Sequence, residues 1–168
     1  KVIEFNDIDA LEAALSSRDV AAVLAEPVMT NIGIIHPDPG YHQALREITR
    51  KYGTYLIIDE THTICTSPGG YSASFALEPD FFTLGKPIAG GVPAAIYGFT
   101  EEVSQAFTAK LSVGDSDVGG IGGTLAGNAL SIAAMKATLE SVLTEEFYTK
   151  SIELQEQLEQ LRIAEIDR

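Results

Sequence analysis

The sequence predicts an α/β domain built on a mostly parallel sheet, and three observations lead there. Two apolar runs, VAAVLA from Val20 and YLII from Tyr55, lack polar alternation, as strands covered on both faces do. Each stops at acids, Glu26 in the first case and Asp59 with Glu60 in the second. Stretches with apolar residues at helical spacing lie between and around them, and strands alternating with amphipathic helices build parallel sheets.

Taken in order, the opening KVIEF reads as a strand. In NDIDALEAALSS, Asn6 or Asp7 offers an N-cap, and Ile8, Leu11, Ala14 and Leu15 lie at helical spacing. The Val20–Pro27 run is the next strand. A loop through Pro37, Asp38, Pro39 and Gly40 leads to YHQALREITRKYG, where Tyr41, Leu45 and Ile48 form one stripe and Gly53 suits a C-cap. TYLIIDE is a further buried-type strand, followed by a polar loop. DFFTLGK and PAAIYGFT are two more, separated by the glycine turn PIAGGV. Thr100 caps a helix whose first turn holds Glu101 and Glu102, where the helix dipole favours acids. Ser112–Gly123 is rich in glycine and serine and reads as a loop that is mobile or ordered by a ligand. Helical patterning resumes from about Gly127 to Leu143 and from Glu145 to about Arg162, with Phe147, Leu154, Leu158 and Leu161 on one face.

The 168 residues suit one domain, which would bury roughly 70% of its unfolded surface. With 24 acids against 11 bases the net charge is -13, which repels phosphate backbones and anionic lipid, so neither nucleic acid nor membrane is an expected partner. No apolar stretch approaches the roughly 20 residues that cross a bilayer. The single cysteine, Cys65, fits a reducing compartment, and we expect a cytoplasmic protein. A start at Lys1 and an end on a helical pattern suggest a segment of something longer. His36, His42 and Cys65 show no metal-ligand spacing.

Open α/β sheets bind ligands beyond the carboxyl ends of their strands. Glu26, Asp59 and Lys86 all fall at such ends, so one rim would receive two acids and a lysine. Each has a plain alternative, since an acid there can cap the next helix and a lysine can simply be solvated. The run ending in DETH also resembles the acidic motif of P-loop ATPases, but the phosphate loop such enzymes need is missing, because Gly85 and Lys86 are followed by Pro87.

A lysine and a buried aspartate on neighbouring strand ends suit pyridoxal phosphate chemistry, in which an amine forms a Schiff base with the cofactor and an acid keeps the pyridine nitrogen protonated. LIIDETHT, TLGKPIAGGVPAAIYG and GGTLAGNAL together resemble three consecutive signatures of the class III, or subgroup II, fold-type I aminotransferases. The likeness is strongest to the glutamate-1-semialdehyde aminomutase branch. It runs from AEPV at Ala25 to the helix after Asn128, with the motifs in the family's order.

The resemblance implies a catalytic Lys86 in Schiff-base linkage, Asp59 on the ring nitrogen, and Thr124, with Gly123 beside it, reaching the cofactor phosphate of the neighbouring subunit in a homodimer. It implies an amine or amino acid and a keto acid or aldehyde as substrates, with aminomutase or racemase activity as alternatives on the same core. Thr61 stands where the family usually has a valine on the ring face, and His62 where glutamine or methionine is common near the ring hydroxyl. His62 is thereby a candidate cofactor ligand or a structural hydrogen-bonder, and Glu26 a candidate site support or a structural acid. Residues 1–143 would be the middle of the large domain and 144–168 a helix leading toward a small C-terminal domain. Alone, such a segment is expected to be inactive. The reading of another class is a non-catalytic assembly module that keeps these motifs by descent.

Overall fold

The computed structural model describes residues 1–110 and 122–166. Its elements, in chain order, are α1 (Ile8–Leu15), β1 (Ala22–Ala25), α2 (Tyr41–Tyr52), β2 (Tyr55–Asp59), a 3-10 turn (Thr63–Thr66), α3 (Gly70–Ser74), β3 (Phe81–Leu84), a second 3-10 turn (Lys86–Ala89), β4 (Ile96–Phe99), α4 (Glu101–Lys110), α5 (Ala129–Ser141) and α6 (Glu145–Ile166). The expected alternation of strand and helix is present.

The four strands form one sheet in the order β1-β2-β3-β4. β1 with β2 and β2 with β3 are parallel, and β3 with β4 is antiparallel. Most of the sheet is therefore parallel, as the sequence implies. Flanking helices complete the α/β layer.

The helix ends follow local chemistry. Asp7 caps α1, its Oδ1 accepting the Ala10 amide at 2.8 Å. Gly53 ends α2 with φ of 70°, a left-handed conformation that glycine adopts without steric cost. The main core joins Leu11 and Leu15 of α1, Tyr41, Leu45 and Ile48 of α2, and Leu56 and Ile58 of β2. Leu56 and Ile58 alternate along the strand and so point to the same face. A second cluster, Leu84, Ile88 and Ala89 with Ala134 and Met135 of α5 against it, packs around the turn that begins at Lys86.

Three expectations need correction. KVIEF forms no strand: Val2 is fully exposed and residues 1–4 have no regular structure, because no neighbouring strand among the described residues pairs with them. β1 is not covered on both faces here, since Leu24 is 66% exposed. The polar loop after Glu60 holds a 3-10 turn and α3, whose fold depends on a tertiary contact described below. The glycine-rich segment lies outside the described residues as far as position 121. The exposed stripe of α6 is present as expected, with Leu154, Leu158 and Leu161 all exposed.

Candidate active site

The site grows from the ends of β1, β2 and β3. Parallel pairing sets Asp59, the last residue of β2, opposite Thr83 of β3. β3 closes one residue later at Leu84, and Gly85 passes the chain to Lys86 at the start of the 3-10 turn. Register thus delivers Asp59 and Lys86 to one end of two hydrogen-bonded neighbours. Glu26 follows β1, whose pairing with β2 ends at Ala25 and Ile58. All three candidates from the strand ends therefore share a rim.

Lys86 has φ of 46°, left-handed backbone that a side chain with a Cβ rarely adopts. Its neighbours Ile88 and Ala89 are buried at 1% and 2% exposure and anchor the turn that imposes this geometry. The side chain itself is exposed, with Nζ 2.5 Å from Nε2 of His62.

Asp59 is half-buried. Its Oδ1 accepts the Thr61 amide at 2.9 Å, and no protein donor among the described residues meets Oδ2. That leaves one carboxylate oxygen able to accept from a protonated ring nitrogen, and the donor set fits a pyridoxal group: one anionic acceptor and one primary amine on adjacent strand ends. A groove of about 730 Å³ opens beside β1, with Glu26, Met29, Ile32, Ile35 and Asp59 on its walls. Lys86 is not on that wall and joins the rim through His62 instead.

His62 is the hub of the arrangement. Its Nδ1 contacts Thr30 Oγ1 and lies 3.5 Å from Glu26 Oε2, while Thr30 Oγ1 donates to Glu26 Oε2 at 2.5 Å. Thr30 escaped the sequence reading because nothing periodic marks it; it sits in an irregular segment 32 residues from its histidine partner.

Glu60 turns away from the rim. At 3% exposure its carboxylate accepts the Tyr71 amide at 3.1 Å, the Ser72 amide at 2.6 Å and the Thr63 hydroxyl at 2.5 Å. It supports the loop and caps the first turn of α3, which answers why two acids end one strand: they face different tasks.

Gly123 and Thr124 are exposed in the turn before α5 and make no hydrogen bond to the rim among the described residues. The cap of α5 is Asn128, whose Oδ1 accepts the Ser131 amide at 3.0 Å, so Thr124 is not needed as a cap.

The family model for "Aminotransferase class-III" matches residues 3–166. The chain belongs to this family. The resemblance read from the three motifs is therefore borne out, including the branch, because aminomutases recur among the relatives. The glutamate-1-semialdehyde 2,1-aminomutase of Syntrophomonas wolfei is 40% identical over 144 residues, covering 83% of this chain and 32% of that protein. That of Neisseria meningitidis is 37% identical over 164 residues, covering 95% and 36%. Among solved structures, a lysine-to-alanine variant of a glutamate-1-semialdehyde-aminomutase from Pseudomonas aeruginosa PAO1 in complex with PMP is 50% identical, with a TM-score of 0.86 over 94% of this chain and 36% of that one. A β-phenylalanine aminotransferase from Variovorax paradoxus has a TM-score of 0.73 at 29% identity, covering 88% and 34%. The chain thus spans about a third of the length of these family members.

Proposed function

We propose that this chain is the cofactor-binding middle of a pyridoxal-phosphate-dependent aminotransferase that moves an amino group between an amine or amino acid and a keto acid or aldehyde. The observation that carries the reading is the shared end of β2 and β3, which presents an aspartate with one oxygen unbonded among the described residues and a lysine held in left-handed backbone. When bound, pyridoxal phosphate supplies an aldehyde and an electron-withdrawing ring that stabilises negative charge on the substrate carbon bearing the amine.

In this reading Lys86 is the catalytic amine. Its Nζ would hold the cofactor and would take up and return a proton. Asp59 would accept the ring N–H through Oδ2, and a carboxylate in a partly dry site would favour the protonated ring far more than it would in water. Thr61 offers its methyl to the ring face. Gly123 and Thr124 would supply an amide and a hydroxyl to the phosphate bound in the partner of a homodimer, a role supported by exposed apolar neighbours, Leu125 at 80% and Leu130 at 70%. Residues 1–143 are the middle of the large domain. Residues 144–168 lead toward a small domain; α6 is tied back near its start, where the Tyr148 hydroxyl donates to the Ile64 carbonyl at 3.1 Å. We place the protein in the cytoplasm on its cysteine usage.

Aminomutase activity is the second reading, favoured by the names of the relatives above. A substrate isomerised with no added acceptor supports it, and dependence on a second carbonyl compound supports transfer.

The cofactor reading is tested on the full-length protein by incubation with pyridoxal phosphate, borohydride reduction and peptide mapping. The reduced pyridoxyl label is expected on the peptide carrying Lys86, with no labelled peptide in Lys86→Ala. A reduced label retained by protein in that variant, or a label on another lysine with Lys86 free, overturns the assignment.

A further inference from the structure

Four side chains form an unbroken line at the rim: Glu26, Thr30, His62 and Lys86. Donor counting fixes its direction. A carboxylate only accepts, so the single hydroxyl proton of Thr30 goes to Glu26 Oε2 at 2.5 Å. Thr30 Oγ1 then has only lone pairs for His62, and Nδ1 must be the nitrogen that carries hydrogen. In the neutral ring this leaves Nε2 as the bare acceptor, and Nε2 is the atom 2.5 Å from Lys86 Nζ.

We propose that Glu26 and Thr30 position His62 in the Nδ1–H tautomer, and that His62 is a base dedicated to Lys86, taking the proton the amine must lose before it acts as a nucleophile. The proposal rests on Lys86 being the catalytic amine. One proton moves: the Nζ–H bond of the ammonium breaks, an Nε2–H bond forms, and a neutral amine and an imidazolium result. Nδ1–H stays on Thr30 throughout. The new positive charge sits with Nδ1 3.5 Å from the Glu26 carboxylate, which stabilises it, and return of the proton restores the start. The charged groups facing His62 are Glu26 beyond β1 and Lys86 beyond β3, with Asp59 three residues earlier at the end of β2. Asp59 already accepts from Thr61. A histidine set in this way differs from the glutamine or methionine common in the family, neither of which can exchange a proton.

The test needs no turnover. Histidine ¹⁵N spectra of the full-length, cofactor-free protein, with the His62 signal identified by its loss in His62→Gln, are expected to show hydrogen on Nδ1. Thr30→Ser keeps that pattern and Thr30→Val loses it. In parallel, acetylation of Lys86 by an N-hydroxysuccinimide ester at neutral pH, read by mass spectrometry, is expected to slow about tenfold or more in His62→Gln and Thr30→Val but not in Thr30→Ser, as loss of a positioned base implies. Hydrogen on Nε2 in the unmodified protein, or unchanged acetylation in both slow variants, overturns the proposal. A purely structural role would lower the melting temperature of Thr30→Val without moving either readout. Failure to take up pyridoxal phosphate would strike the cofactor reading alone, because both measurements are made without it.

Discussion

Glu60→Ala removes the one acceptor that ties together Thr63, Tyr71 and Ser72, and its effect can be worked out from those three contacts. Each donor loses a bond to a charged group. Counting only about 1 kcal/mol for each, because the partly exposed Tyr71 and Ser72 amides can turn to water, gives about 3 kcal/mol of lost stability. Glu60→Gln keeps the shape and one acceptor but turns an NH₂ toward an amide donor, which places it between, at about 1–2 kcal/mol. Thr63→Val removes a single contact and is expected to cost about 1 kcal/mol. Urea unfolding at constant m-value gives the three differences from their midpoints. Hydrogen exchange adds a local readout: the Tyr71 and Ser72 amides should lose protection in Glu60→Ala before the β2 amides do. If Glu60→Ala lies within about 0.5 kcal/mol of the unmodified protein, or matches Thr63→Val, the carboxylate does not organise this loop.

Two further outcomes follow from packing and charge. A Cβ at Gly98 would lie 2.2 Å from Phe82 Cε1, directly across the β3–β4 ladder, so Gly98→Ala is expected to lower stability by about 1–3 kcal/mol in thermal melts. Burial alone would raise the Asp80 carboxyl, but two hydrogen bonds from Arg46, one from the Leu56 amide and the charges of Arg46 and Arg50 together hold it below its ordinary value. A lowered folded value contributes stability that is complete above the unfolded value of about 3.9 and is lost as the pH falls through the folded value. Urea midpoints measured from pH 5 downward should therefore fall less steeply in Asp80→Asn.

Much of this was legible in the chain itself, where the deciding forces are local. The strands at Val23 and Ile57, the cap at Asp7 and the left-handed stop at Gly53 follow from residues within a few positions of each other. The antiparallel β4 could also have been read: residues 85–95 are too short a link for the crossover of a dozen or more residues that a parallel return requires. The role of Glu60 as a support for its loop was legible too, but its partners, and Thr30 altogether, were another matter. The value of Thr30 depends on His62 approaching from the turn beyond β2, and Glu60 finds its amides eleven and twelve residues downstream, where α3 packs onto it. KVIEF failed for the converse reason, since apolar character makes a strand only where a neighbour offers its edge.

The twist at residue 86 has one more implication. Left-handed backbone costs a residue with a Cβ about 1–3 kcal/mol, a penalty glycine escapes. Replacement by glycine would let the junction after β3 relax while removing the nitrogen, so durability and the chemistry proposed for Lys86 pull in opposite directions at that one position. Attempts to harden this scaffold by backbone repair have Asn6, Arg18 and Ala76 to work on before they touch that position.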